Sequence, residues 1–159
     1  MNRQERFPVS LAIVDTIPVV LFSAAVSVLS GKLHSFVFLI GALICILSGG
    51  GKILWKLINA INGKDIHILG AQLRYLMPSG FILMGIGAAL SQKDTLHSLL
   101  NAAIHPPAVF FFALAILGLV LMVVCARRFD RRDLKGNWME QGFNILAQGC
   151  VLVGVLLLS

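Results

Sequence analysis

Five stretches of the chain are almost wholly apolar, at roughly 8–30, 33–51, 75–91, 108–126 and 141–158. Each is close to the roughly 20 residues that an α-helix needs to cross the hydrocarbon core of a bilayer. No stretch alternates apolar and polar residues as a half-buried strand would. Backbone amides inside lipid must find their partners within the protein, so runs of this kind have to be helices. The pattern predicts an all-α integral membrane protein: a bundle of about five transmembrane helices forming a single transmembrane domain over 1–159.

Between the second and third runs the pattern changes. Ile53, Leu54, Leu57, Ile58 and Ile61 fall on one helical face, and Lys52, Lys56 and Asn59 on the other. This predicts an amphipathic inner-surface helix over about 52–62, with Trp55 at headgroup depth. Gly49-Gly50-Gly51 precedes it and reads as a bend, since each glycine costs a helix about 1 kcal/mol relative to alanine. The competing reading is one long helix running through the glycines. The first run, with Arg3 and Arg6 ahead of it and Ala25 and Ser27 within it, also has features of a cleavable signal peptide. Asp15 and Pro18 interrupt what would be its apolar region, which favours a retained span.

Composition sharpens the class. The chain is 58% hydrophobic and 13% charged, with mean hydropathy +0.90, whereas soluble domains are about 25% charged. This excludes a disordered chain, a secreted disulfide scaffold and a soluble nucleic-acid binder. The net charge of +6 therefore reflects membrane anchoring. Of the 13 Lys and Arg residues, all but Lys32 and Lys93 fall in the N-terminus, the 52–74 connection and the 127–140 connection. The bias predicts a bacterial-type cytoplasmic membrane, with the N-terminus cytoplasmic and the C-terminus outside. The basic run at 127–135 reads as an anchor for anionic lipids at the cytoplasmic face. Cys45, Cys125 and Cys150 stand singly in apolar stretches, as small core residues do.

The chain also matches itself. A shift of 69 residues puts Gln72 on Gln141, Gly80 on Gly149, Leu83 on Leu152 and Gly85 on Gly154. Pro18 and Pro78 interrupt the first and third runs, and each of those spans leads through Ser30 or Ser91 and a lysine into Leu-His-Ser, at 33–35 and 96–98. These matches predict tandem parallel helical hairpins, spans 1–2 and 3–4, with span 5 opening a third copy. The odd number of spans leaves a flank that a homodimer or a partner membrane subunit would cover.

In this scheme the odd-numbered spans carry equivalent polar stripes. Gln72, Tyr75 and Ser79 are spaced i, i+3, i+7, and so are Gln141, Asn144 and Gln148, which places each trio on one helix face. Aligning the prolines brings Asp15 to the level of Tyr75 and Asn144, with Arg74 and Glu140 near the rim. Asp15, Arg74, Tyr75, Gln72, Gln141, Asn144 and Gln148 are thus the candidate substrate-binding residues. Asp15 is the sharpest of them, because a carboxylate two turns into a span costs several kcal/mol unless it is paired or protonated. The structural alternative is an ion pair with Arg74 or a hydrogen bond to Gln141 or Asn144.

His34, His97 and His105 all fall on the expected outer side and are the metal or haem candidates, although none has a close HxxxH spacing and His105 precedes Pro106-Pro107. No phosphate loop, HExxH, GxSxG or paired acidic metal motif occurs, so no motif supports an enzyme and no cofactor is expected. Three function classes fit. The first, favoured by the intramembrane carboxylate and the repeat, is a transporter or channel-like protein whose polar centre binds a small solute or proton. The others are a membrane-embedded enzyme or haem/metal redox subunit, and a non-catalytic membrane subunit or scaffold.

Overall fold

The structure is a computed structural model and describes residues 9–62, 67–129 and 134–158. Among the described residues the chain forms α1 (Val9–Val14), α2 (Thr16–Leu33), α3 (Phe36–Asn62), α4 (His67–Ala89), α5 (Lys93–Ile104), α6 (Ala108–Arg128) and α7 (Leu134–Leu156), with no strand. Four stretches are long and apolar enough to cross a membrane: Thr16–Leu33, Phe36–Trp55, Ala108–Arg128 and Lys135–Leu156. The predicted 75–91 run belongs to α4, whose apolar part, Tyr75–Ala89, is shorter. By the length and composition of its helices, this is an α-helical membrane protein. Arg3, Arg6, Lys64, Arg131 and Arg132, on which part of the topology count rests, lie outside the described residues.

The helix α2 occupies the middle, with α3 on one flank and α7 on the other. The helix α4 packs on α3, α6 packs on α7, α1 lies against α3, and α5 touches α2, α4 and α6. Small residues set how closely the two flanking pairs approach. A methyl group added at Gly87 would run into the backbone of Phe38, and one at Gly80 would lie 2.5 Å from Cys45 Sγ. One at Gly41 would lie 2.6 Å from the Met84 nitrogen. Across α6 and α7, a methyl at Gly118 would sit 3.0 Å from Ala147 Cβ.

Two apolar clusters gather at the end where α2 and α7 both finish. Val26, Leu33, Phe38 and Ala42 join α2 to α3. Ala108, Val155 and Leu158 pack with Val28, Leu29, Val151 and Phe112. The opposite end holds the start of α1, the end of α3, the start of α4, the end of α6 and the start of α7, and is called the basic end below.

Several expectations change. The expected separate helix over 52–62 is instead the last part of α3, which continues through Gly49-Gly50-Gly51. In lipid the cost of three helical glycines, about 1 kcal/mol each, is smaller than the cost of leaving backbone groups unpaired. Gly49 also has a packing reason, since a methyl there would meet Val19 Cγ1 at 3.1 Å. A helix not foreseen, α5, occupies most of the connection between the third and fourth apolar runs. Its amphipathic run is too short to register as a span.

The sequence matches do not correspond to equivalent surroundings. The most extensively packed neighbours are α3 with α4 and α6 with α7, pairs that straddle the expected hairpin units. The first Leu-His-Ser is a turn, with His34 in the left-handed region at φ 48° and Ser35 Oγ accepting from the Phe38 N–H at 3.3 Å. The second lies inside α5. Gly80 is tightly packed while Gly149 meets nothing, and Gly85 meets nothing while Gly154 abuts the Phe112 ring. Apolar helices share residues because they share a solvent, so such matches arise cheaply.

Candidate functional site

The site begins at a helix break. Pro18 has no N–H to donate to the Val14 carbonyl and its ring crowds that oxygen, so regular helix stops at α1 and resumes at Thr16. The break is shallow. Asp15 keeps right-handed angles, φ −63° and ψ −13°, and its N–H donates to the Leu11 carbonyl at 3.0 Å. Thr16 Oγ1 donates to the Ile13 carbonyl at 2.6 Å. Asp15, at the break, is only 3% exposed.

The helices α2 and α7 run in the same direction, and their C-terminal ends meet where Lys32 Nζ donates to the Leu158 carbonyl. Next to this contact, Val28 and Leu29 pack with Val151, Val155 and Leu158. On α7, Val151 is followed at helical spacing by Gln148, Asn144 and Gln141, while Phe143 and Ala147 lie against Gly118 of α6. On α2, Phe22 packs with the cluster that joins α2 to α3, and Val19 lies against Gly49 of α3. Asp15 and Gln141 each lie 17 residues from the Lys32–Leu158 contact, about 25 Å along a helix at 1.5 Å per residue. Equal counts put Asp15 and Gln141 at like depth from that contact. The α7 stripe is polar in its basic half and apolar in its far half.

Gln141 is 5% exposed, and Asn144 and Gln148 are half-buried. Gln141 Oε1 and Gln148 Oε1 are buried and meet no hydrogen-bond partner among the described residues. Asp15 does make a polar interaction. An arrangement of one carboxylate and amide oxygens is rich in acceptors. It suits a species that donates hydrogen bonds or carries positive charge.

The expected three-helix centre is not assembled in this form. Tyr75 is 73% exposed and so turned away from the protein interior. The helix α4 packs on α3 and has no substantial contact with α7. It approaches α2 through Phe81, whose ring meets Phe22 edge-on at 5.8 Å. The side chains of Gln72 and Arg74 lie outside the described residues. The alignment on prolines is also off by one helical turn. Cys45 lies against Gly80 and Gly49 against Val19, and extending these registers brings residue 72, not Tyr75, to the depth of Asp15. A proline marks a missing hydrogen bond, whereas depth is set by which residues interlock along the seam. Glu140 is half-buried, as befits a rim residue.

Two residues contribute without having been singled out as candidates. Ser48 is 4% exposed, with Oγ lacking a hydrogen-bond partner among the described residues; a lone serine inside an apolar run was the available signal. Lys32 entered only as an outer charge, and its contact with α7 joins chain positions too far apart for local spacing to reveal.

The histidines do not converge. His34 sits in the α2–α3 turn, His97 within α5, and His105 after α5 with its Nδ1 2.7 Å from the Asn101 carbonyl. All three are exposed, and no group of three metal-ligating side chains occurs among the described residues. His34 and Ser35 border an open cleft of about 520 Å³ that Ser91, Gln92 and Thr95 also line. No family model, curated protein or solved structure matches this chain, so its site is argued from its own geometry.

Proposed function

We propose that this protein is a small transporter or channel-like membrane protein whose α2–α7 polar seam binds a small solute or proton. One observation carries the reading: Asp15, at the start of one helix of membrane-spanning character, and Gln141, within another, are only 3% and 5% exposed. Ionisable and polar side chains are expensive at such depth and mark solute or proton paths when they occur there. The apolar far half of the seam supports the same reading, because a path has to be closed on one side while it is open on the other.

The reading includes five spans, with α4 counted over its full 23 residues, or about 34 Å of helix. It places the N-terminus and the basic connections in the cytoplasm, where exposed Arg127 and Arg128 would meet anionic lipids. Tandem hairpins and a homodimer are further parts of the proposal. The hairpins rest on the 69-residue match and on the proline and Leu-His-Ser match between the first and third spans, and the homodimer on the odd span count.

The test uses purified full-length protein in liposomes under a potassium-diffusion potential, with a pH-sensitive dye inside. The expected result is proton entry above empty liposomes that falls at least about tenfold in Asp15→Asn, a change that keeps the side chain's shape. Equal flux in the variant would remove Asp15 from the path.

A second reading is favoured by the polar interaction that Asp15 already makes. In it, the seam is interhelical adhesion within a non-catalytic subunit. Here Asp15→Asn would lower thermal stability, and adding Arg74→Gln would restore it if the interaction is an ion pair with Arg74.

A further inference from the structure

The helix α5 has 12 residues and is about 18 Å long at 1.5 Å per residue, too short to cross a hydrocarbon core of about 30 Å. Its position is set by what it touches. Leu96 and Leu99 pack on the cluster containing Leu33 and Phe38, and Leu99, Ala102 and Ala103 pack on the cluster containing Ala108 and Leu158. Leu33 and Leu158 stand where α2 and α7 finish, and Phe38 and Ala108 where α3 and α6 begin. Both halves of α5 therefore lie level with the ends of the long helices, at the depth where those helices reach the membrane boundary.

At 3.6 residues per turn the helix has three kinds of surface. Leu96, Leu99 and Ala103 point to the bundle. Asp94, Ser98 and Asn101, spaced i, i+4, i+7, form an exposed polar stripe roughly opposite. Between the two stand Leu100 and Ile104, one turn apart and 57% and 67% exposed, with Lys93 and His97 ahead of them on the same line. Large apolar side chains are also exposed on either side in the chain, at Leu90 before α5 and Phe110 after it. In water that surface would be costly, whereas at the acyl boundary it is solvated, and the Lys93 stem can lie along it with the ammonium among headgroups. Lys93 and Asp94 cancel, so the attraction is apolar rather than ionic.

We propose that α5 is an interfacial helix, lying in the membrane surface at the end opposite the basic one, with Leu100 and Ile104 inserted among the upper acyl chains of that leaflet. The partner of this surface is the lipid bilayer. The inference goes beyond the transport reading and holds whether or not the protein moves a solute.

The test places a nitroxide label at Leu100→Cys, Ile104→Cys or Asn101→Cys in full-length protein whose three native cysteines are alanine, reconstituted in phosphatidylcholine vesicles. Relaxation by oxygen, which partitions into lipid, is compared with relaxation by a nickel chelate, which stays in water on both faces. The expected result is a depth of about 5–10 Å below the headgroup boundary at 100 and 104, and a water-exposed label at 101. Labels at 100 and 104 as open to the chelate as the one at 101 would show a helix standing in water and overturn the proposal. Labels shielded from both reagents would mean that protein, a second copy or another partner, covers the flank, and would overturn it equally. If the cysteine-free protein fails to fold, a photoactivatable phosphatidylcholine with its carbene precursor high in the acyl chain is applied to the unaltered protein. Adducts mapped to Leu100 or Ile104 support the proposal, and adducts on α6 with none on α5 overturn it.

Discussion

The α3–α4 interface and the α2–α7 seam join neighbouring long helices by opposite means. Between α3 and α4 the backbones come so close that Gly41, Gly80 and Gly87 have no room for a side chain. Attraction there is van der Waals contact, which is what associates helices when lipid is as apolar as the protein. Toward the basic end of α2 and α7 stand Asp15, Gln141 and Gln148, with the amide oxygens of the two glutamines buried and without hydrogen-bond partners among the described residues. Those groups reduce stability where they stand. The difference teaches that the first interface can be read as structural, while the second retains groups that packing alone would have replaced.

The largest expected effect breaks the first interface. Gly87→Leu should prevent folding, seen as loss of monodisperse protein after detergent extraction, because even a methyl group there meets the Phe38 backbone. Gly85→Leu, whose position meets nothing within 4 Å, should express normally. Equal behaviour of the two would mean that α3 and α4 do not approach as described.

The second prediction exploits the polar half of the seam. Gln141→Leu removes a buried amide oxygen that has no hydrogen-bond partner among the described residues and should leave stability unchanged or raise it by about 1 kcal/mol, while reducing flux in liposomes. A loss of more than about 2 kcal/mol would show that Gln141 serves the fold. The apolar end gives a smaller effect. Lys32→Met removes the cation bound to the Leu158 carbonyl just past the end of α7, near the negative end of that helix. It should cost about 0.3–1 kcal/mol, read as a modest drop in melting temperature. The smallest effect concerns α3 itself. Gly50→Ala, at an open position in the middle of one helix, should stabilise by up to about 1 kcal/mol; destabilisation would restore the bend.

These contrasts show where the sequence was informative. Long apolar runs announced the helices, because bilayer thickness and backbone satisfaction leave few options. The 3–4 spacing of Gln141, Asn144 and Gln148 gave the polar stripe of α7, and Asp15 stood out by charge. Helix neighbours were not legible, since a leucine facing lipid and a leucine facing another helix look alike in the sequence. Tyr75 was therefore assigned inward by analogy with Asn144, yet its helix lies beyond α3 and the ring is 73% exposed. Gly49-Gly50-Gly51 suggested a bend because propensities measured in water understate how strongly lipid enforces helix. Ser48 carried too weak a signal to separate from the apolar run around it.

The central claim is that Asp15 and Gln141, at like depth, share one polar site. Its most direct measurement is thiol cross-linking in full-length protein whose Cys45, Cys125 and Cys150 have been changed to alanine. Paired Asp15→Cys and Gln141→Cys should cross-link readily with copper phenanthroline or a short bis-maleimide, and paired Asp15→Cys and Tyr75→Cys should not. Efficient cross-linking of the second pair without the first would contradict the account and restore the three-helix centre.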